Sequence, residues 1–200
     1  MYKIFEMLAK LSVAVFGFVL TGQVLRGVVS HRYDSSQCET PCVPGSEAIM
    51  SPKAHGTSDT PVQSNLRWNC DWDTADRICN FNRHYAEYSG YWETTTFSSD
   101  IDTTTTTKFY DSNTEKLLFT APVNRSWDDF LQESRHHGWP SFRDDEVNWE
   151  NVRVLPDGET VSVDGTHLGH NIPDSKGRRY CINIVSIAGK GTESSGRRDL

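Results

Sequence analysis

Apolar and polar positions alternate in blocks along this chain, and each block predicts a different element. Residues 11–20 form an apolar run interrupted only by Ser12 and Gly17, preceded by Lys3 and Lys10 and followed by Gln23, Arg26, His31 and Arg32. That layout predicts a secretory signal peptide or short signal anchor over 1–32. The run falls short of the roughly 20 apolar residues of a full span, which favours a cleaved signal. A mitochondrial presequence is the alternative. Residues 33–65 are rich in Ser, Pro, Thr and Gly, with Ile49 and Met50 as the main large apolar side chains, and predict a disordered linker. The pattern changes at Leu66: Trp68, Trp72, Phe81, Tyr85, Tyr88, Tyr91 and Trp92 follow closely, marking the start of a folded domain over 66–190. Residues 191–200 read as a flexible tail.

Inside that domain the elements are short. Residues 94–107, mainly Thr, Ser and Asp, predict an exposed strand edge or a surface loop, and 116–120 a strand. Ser126 and Asp129 have the spacing of a capping box and open a short helix over 127–134. Gly138 and Pro140 fix a turn that presents Trp139 and Phe142. Residues 152–155 and 160–163 flank Pro156, Asp157, Gly158 and Glu159, a hairpin signal. Tyr, Ile and Val content predicts a strand over 180–186. The fold class is therefore mostly β: two antiparallel sheets forming a sandwich or partly open barrel, with one or two short helices.

With 200 residues and 36% hydrophobic content, the chain can bury the core of one domain. A formal net charge of -7 and the lack of a basic cluster argue against nucleic acid as the main partner. Cys38 and Cys42 are close in sequence, as are Cys70 and Cys79, which suggests two disulfides and one free thiol in an oxidising compartment. Asn124, Arg125 and Ser126 form a glycosylation sequon that matters only in such a compartment.

Cys181 stands apart. In a strand over 180–186, Arg179, Cys181 and Asn183 share one face and Tyr180, Ile182 and Ile184 the other. The Arg179 guanidinium is expected to pull the thiol pKa below its free value of about 8.5, making Cys181 a nucleophile or a metal ligand. Gly138 to Phe142 (GWPSF), His167 to His170 (HLGH) and Arg179 to Asn183 (RYCIN) occur in that order. Together they resemble the B-type methionine sulfoxide reductases, which reduce the R epimer of methionine sulfoxide.

The resemblance implies that Cys181 attacks the sulfoxide sulfur with Arg179 holding its thiolate, and that His167 and His170 supply the proton for the departing oxygen. Asn183 would orient that oxygen, Trp139 would wall the methyl group with Phe142 behind it, and Asp174 would act from further out. The product is methionine plus a sulfenic acid on Cys181, to be reduced by an external thiol, thioredoxin-like or small. No cofactor is implied. Relatives often hold a structural zinc through two Cys-x-x-Cys pairs whose places fall near Asp111 and Thr114 and on Val161 and Asp164; without thiols there, no zinc is expected. Where relatives often carry a resolving cysteine this chain has His137, which leaves Cys70 and Cys79 as candidate resolving thiols. The implied partners are free or protein-bound methionine sulfoxide and the reductant, with a membrane only if the N-terminal segment is retained. The implied location is the endoplasmic reticulum lumen or the exterior, with weak support from the last four residues. Two other readings stand beside this one: an inactive relative serving as a binding domain, and a Cys-His hydrolase, for which no oxyanion-hole motif is evident.

Overall fold

The structure, a computed structural model, describes residues 38–191. The expected signal segment, and the tail beyond Gly191, lie outside the described residues. No helix among the described residues is long and apolar enough to cross a membrane.

In chain order the regular elements are α1 (Trp72–Asp76), α2 (Phe97–Asp100), β1 (Thr107–Tyr110), β2 (Leu117–Ala121), α3 (Trp127–His137), β3 (Ser141–Phe142), β4 (Val152–Val154), β5 (Glu159–Ser162), β6 (His167–Asn171) and β7 (Tyr180–Ile182). β1 and β2 form an antiparallel pair, and the other five strands form an antiparallel sheet in the order β3-β7-β6-β5-β4. The chain is thus mostly β with few short helices, and the sheets do not close into a barrel.

Helix α3 begins as its sequence dictates. The Ser126 hydroxyl accepts from Asp129 N, and the Asp129 carboxylate accepts from Ser126 N in return. Trp127, Phe130, Leu131 and Ser134 recur at helical spacing and are its buried residues. The helix runs one turn past the expected Ser134 because Arg135, His136 and His137 suit the negative end of its dipole. Gly138 then ends it in the left-handed region (φ 89°), where a Cβ would lie 2.0 Å from Ser89 Oγ.

Phe142 follows at once and lies at the centre of the core. Its ring stacks on Phe119 at 4.3 Å and meets Phe109 at 5.1 Å and Phe130 at 5.2 Å. The expectation that Phe142 backs a substrate pocket is therefore corrected: on β3 its side chain takes the face opposite to Ser141 and joins the two sheets and α3 together.

Residues 38–65 depart from the expected linker. They bury Cys42, Met50 and Val62, and Cys38 and Cys42 form a disulfide. Gly45 N donates to Val154 O (2.8 Å) and Val154 N to Val43 O (3.1 Å), so this segment pairs with the outer edge of β4. Composition failed to signal this because backbone pairing and one short cross-link, rather than apolar bulk, hold much of the segment. Residues 94–107 contain α2, which buries Phe97, within an otherwise exposed loop.

Candidate active site

The three sequence motifs become three adjacent strands. β7 lies between β3 and β6, with Cys181 opposite Ser141 on one side and His170 on the other. A cleft of about 160 Å³ opens at this point, lined by Cys181, Asn183, Trp139, His167, Gly169, His170 and Ile172, and by His84, Tyr85 and Ala86 from an earlier segment.

The histidine stretch forms strand β6. On a regular strand His167 and His170, three residues apart, would point to opposite faces. The ladder with β5 shifts between Thr160 and Val161, so Glu159 faces His170 while Val161 faces His167, and Leu168 is the extra residue. This irregularity turns both imidazoles to the cleft, with ring centres 5.7 Å apart. Gly169 between them is required by backbone approach: a Cβ there would lie 2.0 Å from Cys181 O.

Arg179 Nη1 donates to Cys181 Sγ, and Ser141 Oγ lies 4.0 Å from the same sulfur. Arg179 is itself held from behind. Its Nε is ion-paired with Asp174 at 3.2 Å, and Arg143 donates to both Asp174 oxygens, at 3.1 and 2.8 Å. Arg143 keeps the Asp174 carboxyl down at about 2. Arg143 also donates to Glu133, which Arg125 binds in turn at 2.6 Å, and Arg125 donates to buried Glu146 at 2.8 Å. A chain of alternating charges thus runs from the core to the sulfur. The sequence marks its last members, Asp174 and Arg179, but gives no signal for the roles of Arg125, Glu133, Arg143 and Glu146.

Burial pushes the Cys181 thiol up, and Arg179 and Ser141 only partly oppose it. The expected depression of this thiol's pKa is corrected accordingly: desolvation disfavours the thiolate more than one guanidinium favours it. Alkylation of Cys181 should therefore accelerate with pH to a midpoint above the roughly 8.5 of free cysteine, and Arg179→Met should move that midpoint higher still by removing the cation that favours the charged form. Rates of iodoacetamide labelling, read by mass spectrometry of the Cys181 peptide, check this. A midpoint below 8.5, or one indifferent to Arg179, would contradict it.

Other predicted residues divide clearly. Trp139 lines the cleft with its Nε1 donating to Glu87 O at 3.1 Å, and His170 lies half-buried there, its pKa lowered by burial and by His167. Asn183 also lines the cleft, but its amide is committed: Nδ2 donates to Leu168 O at 3.1 Å and Oδ1 accepts from Glu87 N at 3.1 Å. Its hydrogen bonds join backbones rather than aim at a ligand. Cys70 and Cys79 form no disulfide with each other; both are buried, and burial raises both thiols. Neither lines the cleft, so neither is placed to resolve an intermediate on Cys181 in this fold. His137 sits beside Asp174 and Glu133, its pKa lowered by burial and by Arg179. Ligand atoms of these three lie within 4.8 Å of one another, yet both carboxylates are engaged by arginines. Of the positions matched to the relatives' zinc, Thr114 Oγ1 donates to Asp164 Oδ2 at 3.1 Å, and buried Asp111 accepts from Thr166 Oγ1 at 2.9 Å.

A strap of residues 83–87, absent from the elements that the sequence predicts, borders the cleft. Arg83 anchors one end on Glu159 (Nε to Oε2, 2.9 Å), and Glu87 anchors the other by accepting from Ile184 N at 2.8 Å and Val185 N at 3.3 Å. Burial pushes the Glu87 carboxyl up to about 8. His84, Tyr85 and Ala86 between these anchors supply one wall of the cleft. No local pattern marks such a strap, because its anchors lie 76 to 98 residues away.

Among curated proteins the chain is similar to the peptide methionine sulfoxide reductase MsrB of Methanosarcina mazei. The two are 37% identical over 71 residues, which covers 30% of this chain and 50% of the relative. The chain thus spans about half the length of the curated relative it matches. No family model matches the chain, and no solved structure matches it.

Proposed function

We propose that this protein reduces methionine R-sulfoxide to methionine through Cys181, with an external thiol as the source of electrons. The observation that carries this reading is the adjacency of β3, β7 and β6, which brings Cys181, His167, His170 and Trp139 to one small cleft, with buried Arg179 donating to the Cys181 sulfur. Similarity to MsrB supports it at the level of reaction class.

The Cys181 sulfur attacks the sulfoxide sulfur while His167 or His170 takes up the thiol's proton and passes it to the oxygen. The sulfur–oxygen bond breaks with the oxygen leaving as water, and a water then displaces methionine from the Cys181 sulfur; the substrate sulfur has gained two electrons and Cys181 has lost two to become a sulfenic acid. A thiol whose pKa is raised enters with its proton still on it, and Arg179 stabilises the thiolate as that proton leaves. Two external thiols then return Cys181 to the thiol, with one disulfide and one water as products. The Cys38–Cys42 disulfide favours an oxidising compartment for this chemistry.

Incubation of the full chain with each sulfoxide epimer and dithiothreitol tests the reading. Consumption of the R epimer alone is expected. Failure of the folded protein to reduce either epimer would overturn it in favour of a binding domain.

A further inference from the structure

The strap and the histidine pair meet at one residue that the proposed chemistry leaves unused. Glu159 and His167 are each only 2% exposed at the side chain, so no water competes for the 2.7 Å contact between His167 Nδ1 and Glu159 Oε1. A carboxylate can only accept, so Nδ1 carries the proton, and Nε2 is the ring nitrogen left for the cleft. The other Glu159 oxygen takes Arg83 Nε at 2.9 Å. Burial pushes the Glu159 carboxyl up, but hydrogen bonds from His167 and Arg83 outweigh it and hold it below its ordinary value. The irregular register between β5 and β6 makes the contact available by turning His167 to the Glu159 face.

We infer that Glu159 and Arg83 are a positioning pair that fixes the ring and tautomer of His167, so that the strap which walls the cleft also sets the imidazole facing Cys181. Arg83 reaches Glu159 from the strap that carries His84, Tyr85 and Ala86, so a strap lifted from the sheet takes Arg83 away from Glu159. The role assigned to His167 in turnover rests on the reductase reading. The tautomer assignment does not.

Long-range proton–nitrogen correlation spectra of full-length protein labelled at histidine test the pair directly. Wild-type His167 is expected with its proton on Nδ1. Glu159→Gln, whose amide can donate as well as accept, should give a mixture of tautomers. Arg83→Met should shift the Nδ1 proton signal, and Arg83→Lys should restore it in part. In the dithiothreitol assay Glu159→Gln should lower kcat by on the order of 10- to 100-fold with KM little changed. His167 protonated on Nε2 alone in the wild type, or a tautomer and kcat indifferent to Glu159→Gln, would overturn the assignment. A tautomer that depends on Glu159 and Arg83 in a protein that turns over neither epimer would uphold the pair while removing the reductase reading.

Discussion

Cys181→Ser should abolish the proposed reduction of methionine R-sulfoxide, lowering the rate with dithiothreitol by about 10⁴-fold or more, as expected when the atom that bonds to substrate is removed. A hydroxyl in its place is far less ionised than a thiol, and its oxygen has no accessible counterpart of the sulfenic state. The fold should survive, because the Cys181 side chain is only partly buried and the backbone register of β7 with β3 and β6 is independent of it. Cys70→Ala and Cys79→Ala should retain turnover with dithiothreitol wherever the variants fold, since neither thiol lines the cleft. Loss of one epimer from the reaction mixture, followed by chromatography, reads all three variants. Residual activity of Cys181→Ser near the wild-type level would mean that another group carries the reaction.

Glu146→Ala should destabilise the fold by about 3–5 kcal/mol, a large share of the 5–15 kcal/mol that holds a typical domain together. The Glu146 side chain is fully buried in its ion pair with Arg125, and it also accepts from Arg143 N at 2.8 Å and Val123 N at 3.1 Å. Truncation would leave two backbone amides without their acceptor and the Arg125 guanidinium with only Glu133 and the Ser141 carbonyl to bind. For a domain of this size the expected fall in Tm is about 6–20 °C. Glu146→Gln keeps an acceptor and should cost less. Because Arg143 links this network to Asp174 and Arg179, variants that remain folded should also label Cys181 more slowly at neutral pH. A loss of under about 1 kcal/mol in denaturant titration would show that the network contributes little.

Local signals in the sequence placed the parts of this fold whose causes are local. The capping box at Ser126 and the hairpin around Asp157 and Gly158 depend on residues a few positions apart and appear where expected, whereas the strand expected over 180–186 stops at Ile182 and residues 184–186 turn into a 3-10 helix. Cys181 itself is half-buried between buried Tyr180 and Ile182. What stayed hidden depends on pairs far apart in the chain. The resemblance sets Phe142 behind Trp139; the two-residue strand β3 turns Phe142 inward onto Phe119 and Phe109. Arg83 meets Glu159 and Glu87 meets Ile184 across 76 and 97 residues, so the strap has no period or spacing to betray it. The thiol expectation failed for a related reason: the sequence showed the nearby cation, but not the burial that outweighs it.

The central claim, that Cys181 takes the oxygen's oxidising equivalents directly, is tested most directly by a single turnover. The reduced full-length protein is mixed with methionine R-sulfoxide without reductant, and dimedone is added to trap a sulfenic acid. One methionine released per protein chain, with the adduct on the Cys181 peptide and none on those of Cys70 or Cys79, is the predicted result. Folded protein that releases no methionine, or releases it with the adduct elsewhere, would contradict the account.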